Sequence, residues 1–287
     1  MQKIKQSYQD QLVALATKHH KEEVLGPPLQ AIVGVVLKVP NGLDTDLLGT
    51  FSGEIQRPGP AREVAIQKAR LGMAALGLPL GLASEGSFGP HPQWMFIPAD
   101  FELLAFVDAD QDITIVEQVL STQTNYAQTR AQSLAELSEF LTQTQFPSHG
   151  LVVRPDVGIQ PGLLFKGILD CPSLENAIRQ CARQSENGLA YIETDMRAHM
   201  NPSRRAVLHE AAEALARRLT SYCPACHTPG WGVTGVIRGL PCEACGCETS
   251  LVRNEVYGCV RCDCSQEIAR SDGMRGASPQ FCPWCNP

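Results

Sequence analysis

Four Cys-x-x-Cys pairs crowd the end of this 287-residue chain: Cys223 with Cys226, Cys242 with Cys245, Cys259 with Cys262, and Cys282 with Cys285. Ten of its twelve cysteines lie from Cys223 onward. A Cys-x-x-Cys turn aims two thiolates at one point about the size of a metal ion, and two such turns complete a tetrahedron around zinc. The 15 residues between Cys226 and Cys242, and the 19 between Cys262 and Cys282, match the spacing of four-cysteine zinc sites. Two structural Zn2+ ions in a double ribbon over residues 222–287 are therefore predicted. Sequential pairing, first pair with second and third with fourth, is the simpler expectation, with a cross-braced arrangement as the alternative. Cys247 and Cys264 each stand two positions past a pair, as alternative ligands or free thiols. Cys171 and Cys181 read as ordinary buried residues.

A disulfide framework would need an oxidising compartment. The first twenty residues, MQKIKQSYQDQLVALATKHH, hold no apolar stretch long enough for a signal peptide. The longest apolar run, residues 31–37, falls far short of the roughly 18 residues of a membrane helix. A cytoplasmic chain without a membrane partner is the expectation. Net charge is −6, and from residue 222 onward there are five Arg, no Lys and six acidic residues. Nucleic-acid binding draws on Lys and Arg to neutralise phosphates, so that partner is not favoured. A structural or protein-contacting tail fits the charge better.

Residues 1–221 alternate strand-like and helix-like segments, which predicts a mixed-sheet α/β domain. Strands are expected at residues 11–16, 31–39 and 80–84, at an antiparallel pair 102–108 and 113–120, and at 150–154, 163–168 and 189–193. A helix opens at Gly59-Pro60 and runs to about Leu76 along a stripe of small apolar residues. Ser133 and Glu136 form a capping box ahead of Leu134, Leu137, Phe140 and Leu141. Another helix lies between the last two strands. Asn201-Pro202 starts the one that leads to Cys223.

Three polar constellations stand out. Thr17-Lys18-His19-His20-Lys21 follows the first strand and suits a phosphate. Asp44, Asp46, Glu54 and Glu85 are carboxylates in or beside expected turns, suited to Mg2+. Residues 193–205 gather acids, His199, Arg197, Arg204 and Arg205 around a strand-to-helix turn. Lys68 sits at the edge of its helix's apolar stripe, as a snorkelling side chain or as a cation aimed into a site. Each constellation alone reads as solvated loop or helix cap, and together they suit an anionic, metal-bridged ligand.

The strings ATKHHKE, DTDLLGTFSGEIQR, GLASEGSFGPHP, HGLVVRP, ETDMRAHMNPSR and CPWCNP resemble a family catalogued as a domain of unknown function. The order of parts is also similar to the inosine triphosphate pyrophosphatase superfamily. There a loop over the triphosphate corresponds to Thr17–Lys21, a Lys-Ala pair to Lys68-Ala69, an acidic metal-binding turn to the segment around Glu85, and a His-Arg segment to His199 and Arg204-Arg205. His19 departs from that superfamily's asparagine, and Glu85 stands alone where it carries a carboxylate pair. Residues 90–190 have no counterpart, and the cysteine-rich tail is additional.

The resemblance implies a Mg2+-dependent hydrolase of a nucleotide or related phosphorylated small molecule. Glu85 with Asp44 or Asp46 would hold the metal and orient water. Lys18, His19, Lys21 and Lys68 would bind phosphate, and Arg197, His199 and Arg204 the remainder of the ligand. The alternative is a non-enzymatic zinc-ribbon module contacting protein or nucleic acid, marked by exposed Trp231, Val233, Val236, Ile237 or Trp284. A ribbon that lids the site or mediates a homo-oligomer is a third arrangement.

Overall fold

A computed structural model describes residues 8–45, 57–157 and 163–287. The chain forms two compact units, Asp10–Leu215 and Ala216–Pro287, with Tyr8 and Gln9 grouped in the second. Among the described residues, the first unit holds two sheets. β1 (Leu12–Ala16), α1 (Glu22–Val33) and β2 (Val36–Lys38) make a parallel β-α-β step. Gly34, at φ 84°, closes α1 in the left-handed conformation that a glycine adopts without strain.

After α2 (Ala61–Leu76), β3 (Leu80–Pro90) runs parallel to β1, then pairs antiparallel with β4 (Pro98–Asp108), and β4 with β5 (Ile113–Ser121). The order is β2-β1-β3-β4-β5. The small-residue stripe of α2 works as its sequence predicts. Ala65, Ala69, Gly72 and Met73 are buried, and a Cβ added at Gly72 would stand 3.4 Å from that of Ala16.

The second sheet has the order β6-β9-β7-β8 and is antiparallel throughout, from β6 (Gln128–Ala131), β7 (Leu151–Pro155), β8 (Phe165–Ile168) and β9 (Ala190–Thr194). α4 (Cys171–Gln184) covers it, burying Leu174, Ala177, Ile178 and Cys181 with Leu151, Val153 and Ile192. Asp170 caps α4 by accepting from the Ser173 N–H at 2.8 Å. α3 (Ser138–Gln143) is short and follows a 3-10 turn. α5 (Pro202–Leu219) begins as expected, with Pro202 at its first position and Asn201 Oδ1 accepting from Arg204 N at 2.9 Å. The tail is a three-stranded antiparallel sheet, β10 (Gly232–Arg238), β11 (Val252–Gly258) and β12 (Ser265–Ala269).

Three expectations are corrected, and one strand is new. The strand expected at 31–39 is only Val36–Lys38, because residues from Glu22 are helical through Pro27 and Pro28. Those prolines delete two helix donors, and burial of Val24, Leu25, Leu29 and Val33 outweighs the loss. The segment 85–90 is not a loop but the second half of β3, paired residue by residue with 98–103 of β4. β6 was not anticipated. Cys171 is exposed at the start of α4 rather than buried. Among the described residues, no helix is long and apolar enough to cross a membrane.

Candidate metal centres and ligand cleft

The eight cysteines of the four pairs gather into two tetrads. Cys223, Cys226, Cys259 and Cys262 form one, and Cys242, Cys245, Cys282 and Cys285 the other. First pair thus joins third, and second joins fourth, so the sequential pairing is corrected to a cross-brace. Strand register is the cause. Gly232 opposes Gly258, so the turn before β10 and the turn after β11 meet at one end of the hairpin. The second turn, around Cys242–Cys245, lies between β10 and β11 at the other end. There Cys242 bridges to Ala277, and the chain then leads to Cys282.

The sulfurs fit a metal. Within the tetrads, Sγ–Sγ separations include 3.7 Å (Cys223–Cys262), 3.5 Å (Cys226–Cys259), 3.9 Å (Cys242–Cys285) and 3.5 Å (Cys245–Cys282). Zn–S bonds of about 2.3 Å place the corners of a tetrahedron roughly 3.8 Å apart. Backbone N–H groups of Arg261 and Cys262 point at Cys259 Sγ, at 3.3 and 3.5 Å. The hydroxyl and N–H of Thr228 bring the Cys226 thiol down to about 6. The Cys264 N–H favours the Cys262 thiolate, but the sulfurs of Cys226, Cys259 and Cys223 push it up to about 12. Four thiolates this close repel, and a bound cation removes the conflict. Both tetrads could hold metal ions, and their all-sulfur tetrahedral donor sets suit zinc. Cys247 and Cys264 stand outside both.

In the Asp10–Leu215 unit, a cleft of about 350 Å³ opens between the two sheets. His19 comes from the β1–α1 loop, Arg57 from the segment before α2, Gly86 to Phe88 from β3, Lys166 from β8, and Glu193 to Arg197 from the end of β9. Tyr126 completes the wall, its ring stacked on Phe88 with centroids 6.0 Å apart. Burial raises the Glu193 carboxyl above its ordinary range. Asp195 accepts from Arg197 Nε at 2.9 Å and Nη2 at 2.6 Å, and from the Gly167 N–H at 3.0 Å, fixing Arg197 at the rim.

Two charged layers lie on opposite faces of β3 and β4. Side chains alternate along a strand, so Glu85 faces α2 while Gly86 shares the other face with Glu102, its direct partner. On the α2 face, the buried Glu85 pairs with Lys68 Nζ at 2.5 Å and with Arg57 Nη2 at 3.1 Å. Arg57 also donates to the Gly86 carbonyl at 2.8 Å and to Ser87 Oγ at 3.3 Å. On the other face, the fully buried Arg204 donates to Glu102 Oε1 through Nε and to the Met196 carbonyl through Nη1. A Cβ at position 86 would stand 2.6 Å from Arg204 Nη2 and 2.8 Å from Glu102 Oε1, so only glycine leaves room for this pair. Lys21 donates to Ser84 Oγ at 2.7 Å, and burial, then Arg204, brings its amine down to about 7.

Asp100 lies beside this cluster, fully buried, with neither oxygen hydrogen-bonded to any described residue. Burial, and then the Glu102 charge, push its carboxyl from 3.8 up to about 8, against Arg204 and Lys21. For a carboxyl raised on folding, the stability it permits is greatest below the unfolded value and is lost as pH climbs toward 8. Asp100→Asn removes that loss. The variant is expected to exceed wild type by on the order of 5 kcal/mol at pH 8, with the difference shrinking to about 2 kcal/mol toward pH 5. Urea denaturation at the two pH values reads it. Lys21, whose amine is lowered, adds stability with rising pH above about 7 in both proteins and largely cancels in the comparison. An Asn variant weaker than wild type at pH 8 would mean that Asp100 is ionised and held by Arg204 and Lys21.

The residues expected at a site are thus partly gathered. His19 and Arg197 line the cleft. His199 stands behind His19, ring centroids 5.1 Å apart, and burial and Arg197 lower its imidazole. Lys21, Lys68, Glu85 and Arg204 are buried in the two charged layers, Arg204 as an internal ion-pair partner. Lys18 and Asp44 pair with each other at 3.0 Å on the surface. Asp46 and Glu54 lie outside the described residues. Among the described residues, the two cysteine tetrads are the only groups of three or more His, Cys, Asp or Glu placed to share a metal. Arg57, Lys166, Phe88 and Tyr126 were not anticipated as site residues. Each comes from a different segment; Arg57 and Phe88 fall within the strings DTDLLGTFSGEIQR and GLASEGSFGPHP without standing out there, and Lys166 and Tyr126 fall within none.

No curated protein matches the chain. Residues 68–287, most of its length, match the profile of the domain of unknown function DUF6671, and the chain belongs to that family.

Proposed function

We propose that the cleft binds and hydrolyses a nucleotide or a related phosphorylated small molecule. The observation that carries this reading is the concentration of Arg57, Lys166, Arg197 and His19 on the walls of a cavity that also presents the stacked Phe88–Tyr126 pair. Cations in a partly enclosed cleft attract phosphate and stabilise charge that develops on its oxygens. An aromatic wall offers a flat apolar face to a ring. A volume of about 350 Å³ is within the range of small-molecule sites. Of the residues implicated by the likeness to the inosine triphosphate pyrophosphatase superfamily, His19 and Arg197 line this cleft.

In this proposal Arg57, Lys166 and Arg197 bind phosphate, and His19 faces the reacting group. Glu85 with Lys68 anchors Arg57 from below. As a Mg2+ centre the described residues do not fit: both Glu85 oxygens engage cations, and Asp44 engages Lys18. The tail's tetrads would carry two structural Zn2+ ions.

The test is release of phosphate and pyrophosphate from nucleoside triphosphates, inosine and xanthosine forms included, with and without Mg2+. Arg57→Ala and Glu85→Gln, checked for unchanged circular dichroism and metal content, are each expected to lower kcat/KM about a hundredfold or more. Turnover undiminished in both variants would remove the cleft from the reaction.

A second reading, a non-enzymatic module that contacts a protein through its tail, is favoured by Trp284, Val233 and Val236, which are exposed. Absence of turnover by folded, metal-loaded protein would move the weight to it. Trp231 and Ile237 are only partly exposed.

A further inference from the structure

The hairpin joining β3 to β4 ends in Trp94-Met95-Phe96-Ile97, four consecutive large apolar residues on the surface. Phe96 is 101% exposed, Met95 75% and Trp94 52%. Water-facing tips are ordinarily polar, and a contiguous apolar patch on one marks an interaction surface. This tip is an ordered turn. Ile97 N donates to the Trp94 carbonyl at 2.9 Å, and His91 N to the Ile97 carbonyl at 2.8 Å. His91 Nδ1 accepts from the N–H groups of Gln93 and Trp94, and its ring stacks on Trp94 at 4.6 Å. The apolar side chains are therefore displayed at little further entropic cost on binding. Beside the tip runs an open groove of about 390 Å³, walled by Met95, Phe96, Pro98, Tyr126 and Phe140.

We infer that this tip and groove form a two-fold interface with a second copy of the chain, the Phe96 of each copy seated in the groove of the other. A projecting apolar residue beside an apolar groove on one face is self-complementary, which a two-fold contact requires. Charge argues against an anionic lipid surface as the occupant. No Lys, Arg, Asp or Glu occurs from Gly86 through Ala99, and the chain's net charge is −6. An anionic bilayer would meet neither basic residues nor net attraction, whereas two copies bring together uncharged patches. The area suffices. Burying Phe96 and the exposed half of Trp94 removes roughly 300 Å² from water. With Met95, Ile97 and the facing walls each copy contributes roughly 600 Å², so the pair buries about 1,200 Å², the lower end of specific interfaces. A concentration-dependent dimer follows.

Sedimentation equilibrium of the full, metal-loaded chain tests this, with Phe96→Asp as the variant and Trp94 fluorescence as a second readout. Phe96 touches solvent rather than the core, so the variant is expected to keep its circular dichroism and thermal midpoint. Wild type is expected to dimerise with a blue shift in emission as concentration rises. Phe96→Asp is expected to weaken association about tenfold or more, since a central aromatic dominates such contacts, and to lose the shift. A wild type that stays monomeric, or a variant that dimerises as well as wild type, overturns the inference. So does a monomeric wild type that floats with phosphatidylcholine or phosphatidylserine vesicles, which would make the tip a lipid contact.

Discussion

Chelation of the tail's metal is expected to unfold β10, β11 and β12 while the two sheets of Asp10–Leu215 persist. The reason is the size of the tail's core. Between Tyr222 and Pro287 the buried apolar side chains are Pro229, Leu240, Ala277 and the ligands Cys223, Cys242 and Cys282. So few side chains cannot offset the chain entropy of some 65 residues, and small domains of this kind depend on the metal. Structural zinc contributes on the order of 10 kcal/mol of binding free energy at each such site. Elemental analysis is expected to find two zinc ions per chain. Paired substitutions separate the cross-brace from sequential sites. Cys223→Ser with Cys259→Ser strikes one tetrad and is expected to leave one ion, whereas Cys223→Ser with Cys242→Ser strikes both and is expected to leave none. The reverse pattern would restore sequential pairing.

Arg204→Ala is expected to destabilise the first unit by about 3–5 kcal/mol, the cost of leaving a buried charge uncompensated. Glu102 has no exposure of its own and lies beside the buried Asp100, so water cannot replace the lost partner. The guanidinium's fork also supplies the Met196 carbonyl and lies 5.2 Å from the Phe88 ring centroid. Arg204→Lys therefore rescues little, because an ammonium cannot span the same acceptors. Replacing both partners, Arg204→Met with Glu102→Leu, is expected to recover most of the stability, since the apolar pair needs no desolvation. Thermal melts of the three proteins decide the matter. A double variant no better than Arg204→Ala would mean that the pair's geometry, rather than its charge balance, carries the stability.

These two cases divide what could be read along the chain from what could not. α2 was legible because a stripe of small residues at helical spacing has one use, close approach to a sheet. α5 was legible because Asn201 and Pro202 act within one turn of it. α1 was not, since two prolines argue locally against a helix and only burial of Val24, Leu25, Leu29 and Val33 reverses the balance. The Glu85 segment carries turn-forming residues, yet pairing with β4 keeps it extended to Pro90. In the cleft, His19 and Arg197 were legible from the company of other polar residues. Lys166 and Tyr126 were not, since each stands alone in its own segment, and Arg57 closes the string DTDLLGTFSGEIQR with nothing local to set it apart.

Eight sulfurs were marked as metal ligands before any folding was known, because a Cys-x-x-Cys turn sets its geometry within four residues. The α/β region that precedes them was legible too, through periodicities of the same short range. Which pairs share an ion was settled by the fold, because intervals of 15 and 19 residues admit either pairing and the opposition of Gly232 to Gly258 selects one. The same holds for charge. Glu85 and Glu102 look alike in sequence, but strand alternation sends one toward Lys68 and Arg57 beneath α2 and the other to Arg204 on the opposite face. Partners this far apart along the chain meet only through sheet register, and register is set by the packing of the whole sheet rather than by any one segment.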